Sequence, residues 1–357
     1  MAERILIAAG GTGGHIFPAL AVADVLREAG CQVNFAGTAR GLESRLVPER
    51  GYPLHLLEMQ GLRGKGWLRW LRAPWLLGRA IHQARQIIRE CRSEVVLGMG
   101  GYVSAPVGIA AWTLRRPLFL HEQNSISGMS NRLLARFARG VFTGFPDSGL
   151  PHARWVGNPV RAEIAALPDP ALRFAGRSGP VRVLVIGGSQ GARVLNRLCV
   201  SAFSDLAGSL LPEIRHQTGR EDFPAVQAAY AEAGVTARVE PFIDDMAAAL
   251  GWADLAICRS GAATVAELAA AGLGALLIPF PHATDDHQAV NARFLENAGA
   301  GRMLRQELLD GPRLRDVLLP LLQDPLLRLQ WAKSARSVAR TDAATQVAHA
   351  CMEVRHA

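Results

Sequence analysis

Three times in this chain a short apolar run breaks into a glycine cluster and resumes as a helix. Ile5–Ala9 runs into Gly10, Gly11, Gly13 and Gly14, Val95–Leu97 into Gly98, Gly100 and Gly101, and Val181–Ile186 into Gly187, Gly188 and Gly191. Such a unit, repeated, builds a parallel sheet covered by helices on both faces. Ligands meet these sheets at the carboxyl ends of the strands. Glycine lets the backbone turn tightly and approach a ligand closely. The helix start behind it offers N–H groups and a positive dipole end to an oxyanion. In the first loop His15 follows the last glycine, where its imidazole can face a cleft.

The remaining strands expected in the first half are Gln32–Ala36, Leu118–His121 and, as the last, Val141–Thr143, with 37–60 as a looser connection. Leu77, Ala80, Ile81, Ala84, Ile87, Ile88 and Cys91 fall at helical spacing. After Gly157-Asn158-Pro159 the pattern restarts, with further strands expected at Glu213–Gln217, Arg238–Pro241, Asp254–Cys258 and Ala275–Ile278 and helix beyond Leu308. At 357 residues there is chain enough for two cores. The expected class is α/β, with two doubly wound Rossmann-like domains, 1–160 and 161–335, facing a cleft. A terminal helix, 336–357, is expected to pack back on the first domain.

Several function classes drop out. The five cysteines are scattered and lack metal-like spacing, which favours a reducing compartment and no structural zinc. Glu3 and Arg4 precede too short an apolar run for a signal peptide. Val95–Leu114 carries no charge, but glycines and Pro106 break it into strand, turn and helix rather than a membrane span. A dinucleotide fingerprint starting at Gly11 meets Ile16 at its third glycine, and Gly37-Thr38-Ala39 stand where an acid should follow the second strand. Gly64-Lys65 lacks the rest of a P-loop. No D-x-D triplet occurs, so no metal ligands are visible and no cofactor is expected.

The second half has its own anion cradle. Arg259-Ser260-Gly261 ends a strand, and Ala262, Ala263, Thr264, Val265, Ala266 and Glu267 open a helix. Glu267 can accept two vicinal hydroxyls, as from a ribose, or simply complement the helix dipole. Pro279-Phe280-Pro281-His282 and Asp285-Asp286-His287-Gln288 with Asn291 supply groups that both donate and accept, as sugar hydroxyls require.

Net charge is +8, and residues 61–92 hold eight Lys or Arg against Glu90 alone. There Trp67, Trp70 and Trp75 alternate with Arg63, Lys65, Arg69, Arg72 and Arg79, and Trp112 with Arg115-Arg116 extends the theme. Aromatic and leucine side chains flanked by cations describe a surface that lies on an anionic membrane. The plainer alternative puts the tryptophans in the core and the arginines on a solvated face. Nucleic acid is not expected, since no binding motif accompanies the charge.

GGTGGHIFP at 10–18, HEQN at 121–124, GNPVR at 157–161, GGSQGA at 187–192, RSGAATVAE at 259–267 and PFPHATDDHQAVNA at 279–292 together resemble one family. It is the family 28 glycosyltransferases of bacterial peptidoglycan synthesis, which add N-acetylglucosamine (GlcNAc) to lipid I and give lipid II. The resemblance implies a glycosyltransferase-B fold, an inverting reaction and UDP-GlcNAc as donor. It also implies lipid I as acceptor, a peripheral place on the cytoplasmic face of the inner membrane, and partners among cell-wall synthesis and division proteins. Carried over by position, the donor set is Thr12, Gly13, Gly14, Asn124, Arg161, Ser189, Ile243, Ala262 through Glu267, and Gln288. Uracil would be read by backbone near Ile243, ribose by Glu267 and the sugar near Gln288. His287 stands where some relatives carry another glutamine. Arg259 can neutralise charge near the diphosphate. Tyr102 and Asn131 are candidate acceptor contacts.

An inverting transfer needs a base for the acceptor hydroxyl and a stabiliser for departing UDP. His15 is the candidate base, since imidazoles titrate near neutrality. Its alternatives are a helix cap or a ligand of acceptor phosphate. Glu122 is the rival base, and can equally orient a neighbour. A UDP-GlcNAc 2-epimerase, a sugar-nucleotide binding module and a transferase acting on another lipid are the competing functions.

Overall fold

A computed structural model of the chain describes the backbone of residues 3–59, 67–187, 192–206 and 210–356, and their side chains except at 67–73, 355 and 356. The chain divides into two units, Met1–Arg161 with Arg340–Ala357, and Ala162–Ala339.

The first unit holds β1 (Arg4–Ala8), β2 (Gln32–Gly37), β3 (Leu54–Leu56), β4 (Val95–Gly98), β5 (Leu118–Glu122), β6 (Gly140–Thr143) and β7 (Ala153–Trp155). Their order is β3-β2-β1-β4-β5-β6-β7, and every pairing is parallel. The second holds β8 (Arg182–Ile186), β9 (Glu213–Gln217), β10 (Ala237–Glu240), β11 (Leu255–Cys258), β12 (Ala275–Leu277) and β13 (Gly301–Met303), ordered β10-β9-β8-β11-β12-β13 and again parallel throughout. Both are doubly wound sheets, as expected for the class.

Alternation along β1 shows why it reads as an unbroken apolar run. Ile5 and Ile7 point into one buried cluster, with the helices Gly13–Glu28 and Ala343–Met352. Leu6 and Ala8 point into another, with Ala84, Ile88 and Val107. Both faces are covered from Ile5 to Ala8, so only Arg4, at the half-exposed start of the strand, is polar. The terminal helix gives Ala343, Ala344, Val347, Ala348 and Cys351 to the first cluster.

The structure corrects three boundaries. Residues 37–60 are not a loose connection but contain the helix Glu43–Glu49 and β3. Val141–Thr143 is not the last strand of its sheet, since β7 follows it, and β13 extends the second sheet. β3, β7 and β13 are three-residue edge strands carrying His55, Arg154 and Arg302. A half-exposed edge needs no apolar run, so none marks it.

His121 on β5 and His216 on β9 are both buried. Burial drives His121 down to about 4 and His216 to about 3 from the ordinary 6.5. The neutral forms therefore belong to the folded units, whereas unfolded chain takes up the proton near 6.5. Their contribution is complete above pH 6.5 and shrinks as pH falls toward those lower values. The unfolding temperature should thus fall already between about pH 6.5 and 5, above the carboxylate range. His216→Gln should flatten that slope; an unchanged slope would refute the assignment.

Candidate active site

In the first sheet the strand order reverses between β1 and β4, the point where doubly wound sheets take their ligands. The two glycine loops meet there with no room for side chains. A Cβ on Gly101 would lie 2.4 Å from the Gly10 carbonyl oxygen, and one on Gly10 would lie 2.6 Å from Val103 Cγ2. Thr12 caps the helix Gly13–Glu28 without a side-chain hydrogen bond, and the first turn contains no acid. No acid of the helix itself therefore offsets its positive dipole end.

His15 is the third residue of this helix, and its Nδ1 lies 2.9 Å from Gln123 Oε1. The Glu122 carboxylate is buried and fully engaged. Its Oε1 accepts from the Asn124 amide at 3.0 Å, and its Oε2 from the Gly128 amide and Asn131 Nδ2, both at 2.9 Å. Asn131 is itself buried. Tyr102 donates to Thr38 Oγ1 at 3.0 Å, and Arg161 lies 5.0 Å over the ring of Phe17.

Sequence reasoning missed Gln123 and Glu43. Glu43 is fully buried at the start of the helix Glu43–Glu49. Its Oε1 accepts from the Thr38 amide at 3.0 Å and the Thr38 hydroxyl at 2.8 Å, and its Oε2 from the Gly11 amide at 3.1 Å. One carboxylate thus pins the first glycine loop to the end of β2. An acid in the first turn of a helix was the available signal. Glu43→Gln turns an amide N–H toward these donors, and should cost about 1–3 kcal/mol, or several degrees in the unfolding temperature of the intact chain. An unshifted transition would show that the loop holds without it.

In the second sheet the reversal falls between β8 and β11. Ser189, in the loop after β8, lies outside the described residues. After β11, buried Arg259 donates through Nη1 to the carbonyls of Ile278 and Pro279 (3.1 and 3.2 Å), and through Nη2 to Gln306 Oε1 (2.7 Å). It therefore ties the ends of β11 and β12 together, and its burial lowers the guanidinium's pKa.

Gly261 begins the helix Ala262–Ala271 with no side-chain cap and no acid in the first turn. Glu267 is half-buried at its sixth position, beyond the reach of a capping residue. Gln288 Oε1 accepts from the Phe280 amide at 2.9 Å, and His287 Nδ1 donates to the Thr284 carbonyl at 2.7 Å. Asp286 pairs with Arg305 through two bonds of 2.9 and 2.7 Å, which holds its carboxyl below the usual range. Ile243 is buried, and its amide donates to Gln217 Oε1 at 3.1 Å, so a base read here would displace that bond or use the carbonyl. Thr12–His15 thus stand at the switch point of the first sheet, and Arg259 with the helix start after Gly261 at that of the second.

On the helix Trp67–Glu90, Trp75 is 66% exposed, with Leu76 and Leu77 beside it. The helix Gly101–Thr113 packs alongside and carries Trp112, 54% exposed, its ring 5.0 Å from that of exposed Phe137. Trp67, Arg69, Trp70 and Arg72 lie outside the described side chains. Among the described residues no helix is long and apolar enough to cross a membrane, and no three His, Cys, Asp or Glu gather as a metal site.

Residues 5–143 match the glycosyltransferase family 28 N-terminal domain, and residues 182–347 the family 28 C-terminal domain. A protein of Acidithiobacillus ferrooxidans named UDP-N-acetylglucosamine–N-acetylmuramyl-(pentapeptide) pyrophosphoryl-undecaprenol N-acetylglucosamine transferase is 68% identical, over 99% of this chain and 98% of its own length. One of the same name from Marinobacter nauticus is 50% identical over 98% and 97%. The crystal structure of Acinetobacter baumannii MurG superposes with a TM-score of 0.85 at 37% identity, covering 99% of this chain and all of that one. The calicheamicin glycosyltransferase CalG4, at 17% identity and a TM-score of 0.67 over 100% and 98%, shares the fold alone.

Proposed function

The chain belongs to glycosyltransferase family 28, and from that premise we propose that it moves GlcNAc, with inversion, from UDP-GlcNAc to the C4 hydroxyl of N-acetylmuramic acid in undecaprenyl-pyrophosphoryl-MurNAc-pentapeptide. The observation that carries the geometry is a pair of helix starts without side-chain caps, one at each switch point, with His15 on the first and Glu267 on the second.

In this reading His15 takes the proton of the acceptor hydroxyl as its oxygen bonds to C1 of GlcNAc. The C1–phosphate oxygen bond breaks on the opposite face, and UDP leaves with the electron pair. Amides of Ala262, Ala263 and Thr264, the glycine loop with Ser189, and the Arg259 charge stabilise that developing oxyanion. Glu267 receives the ribose hydroxyls, the backbone near Ile243 the uracil, and Gln288 the sugar. Thr12, Gly13, Gly14, Asn124 and Arg161 complete the donor set. Tyr102 serves the acceptor directly, and Asn131, buried with its amide on Glu122, serves it only through the loop it holds. Glu122, its oxygens held by Asn124, Gly128 and Asn131, shapes the loop rather than taking a proton.

Labelled UDP-GlcNAc with a short-chain lipid I analogue, in EDTA, tests the whole reading. Acceptor-dependent disaccharide lipid is expected, because the chain has no D-x-D triplet to carry a metal clamp. Donor consumed without acceptor would indicate an epimerase. Donor that binds but never transfers, with or without magnesium, would point to another acceptor.

We further place the enzyme peripherally on the cytoplasmic membrane face, beside other wall-synthesis and division proteins. Trp75, Trp112 and the basic residues of 61–92 would form the docking surface. Trp75→Ser with Trp112→Ser should weaken binding to anionic vesicles about tenfold or more. Unaltered sedimentation would put the docking surface elsewhere.

A further inference from the structure

Gln123 is buried between two histidines of the first unit, and nothing in the transfer as described uses it. We propose that Gln123 is a positioning residue that sets the tautomer of His15, holding its proton on Nδ1 so that the Nε2 lone pair meets the acceptor hydroxyl. This deepens the reading of His15 as base and rests on it.

The Gly157 carbonyl can only accept, and it lies 2.9 Å from His121 Nε2, so that nitrogen carries a proton. His121 is wholly buried and kept neutral by that burial, which leaves its Nδ1 as an acceptor. The atom 3.1 Å from this Nδ1 must therefore donate, and it is the Gln123 amide nitrogen, whose other proton is directed at the His121 carbonyl 3.3 Å away. Rotating the amide by half a turn would set its oxygen against both acceptors. Gln123 Oε1 is thus turned to His15, and an amide oxygen only accepts. The 2.9 Å contact requires a proton on His15 Nδ1.

The surroundings close over this bond. A Cβ on Gly100, whose φ is +81°, would stand 2.9 Å from His15 Nδ1 and 3.0 Å from Gln123 Oε1. Asn158 Nδ2 donates to the Gln123 carbonyl at 3.0 Å and steadies its backbone. The order Gly157, His121, Gln123, His15 is then a single directional chain of hydrogen bonds from a backbone carbonyl to the base.

The test uses the full chain with 15N-labelled histidine, read by long-range proton–nitrogen correlation at a pH where His15 is neutral, its signals assigned with His15→Asn. Native protein should show the Nδ1–H tautomer at His15. Gln123→Leu should shift it toward Nε2–H and lower kcat at least tenfold, with KM for UDP-GlcNAc within about twofold, as expected for a base in the wrong tautomer. Gln123→Glu keeps an acceptor facing Nδ1 and should retain the tautomer, while its second oxygen replaces the amide donor against His121 Nδ1 and the His121 carbonyl, so kcat should fall with no change of tautomer. Nε2–H in the native protein, or Nδ1–H persisting in Gln123→Leu, overturns the proposal. If Gln123→Leu does not fold, Nε2–H in Gln123→Glu overturns it equally. A tautomer that moves while kcat stays constant upholds the positioning and sinks the base assignment instead.

Discussion

Replacing His15 with alanine is expected to lower kcat by about 10²–10⁴-fold, while the Kd for UDP-GlcNAc stays within about twofold. The separation follows from where the groups sit. His15 is in the first turn of Gly13–Glu28, in the unit that contains β1–β7. Glu267, Gln288, Arg259 and Ile243, proposed to grip the nucleotide and sugar, all belong to the other unit. A base stabilises only the transition state, in which the proton is moving, so its loss lowers kcat and kcat/KM together. A phosphate ligand in the same place would weaken ground-state binding as well. Single-turnover rates beside calorimetric donor binding decide the matter. If affinity falls in step with rate, His15 is a ligand of the donor and not its base.

How much of this could be read from the chain depended on burial. Ile5 to Ala8 and Val183 to Ile186 are covered from both sides, so these stretches are apolar at every position and stand out. The glycine turns stand out for a related reason: at Gly101 even a methyl group would strike the Gly10 carbonyl. Edge strands such as β7, with Arg154 at its centre, have no such requirement and left no trace. Polar residues were harder still. Glu122 and Gln123 are neighbours in one tetrapeptide, and residue type alone made the carboxylate the more attractive base. In the folded unit the carboxylate binds its own loop, while the amide touches His15. Which way a side chain points at the end of a strand is settled by the donors that surround it, here the amides of Asn124 and Gly128. Those partners are created by the fold and have no spacing signature. Glu43 makes the same point: its partners Thr38 and Gly11 lie five and thirty-two residues away.

Glu267→Ala is expected to raise the Kd for UDP by about 30- to 1,000-fold, with a smaller effect on kcat at saturating donor. A carboxylate that accepts both hydroxyls of a ribose makes two charge-assisted hydrogen bonds, and losing them costs about 2–4 kcal/mol after water replaces the carboxylate. The folded unit should tolerate the change, because alanine is the best helix former and position 267 lies inside Ala262–Ala271. UDP by itself is the right probe, since it removes the acceptor and the sugar from the measurement. Glu267→Gln refines the result: one oxygen can still accept while the charge is gone, so its loss should fall between alanine and the native chain. Equal affinity in all three would mean that the carboxylate never meets the ribose. It could not then be reassigned as a helix cap, because Gly261 starts the helix six residues earlier and Glu267 is too far along it to reach the first-turn amides. Recognition of the nucleotide would have to rest on the amides at the start of that helix and on the backbone around Ile243.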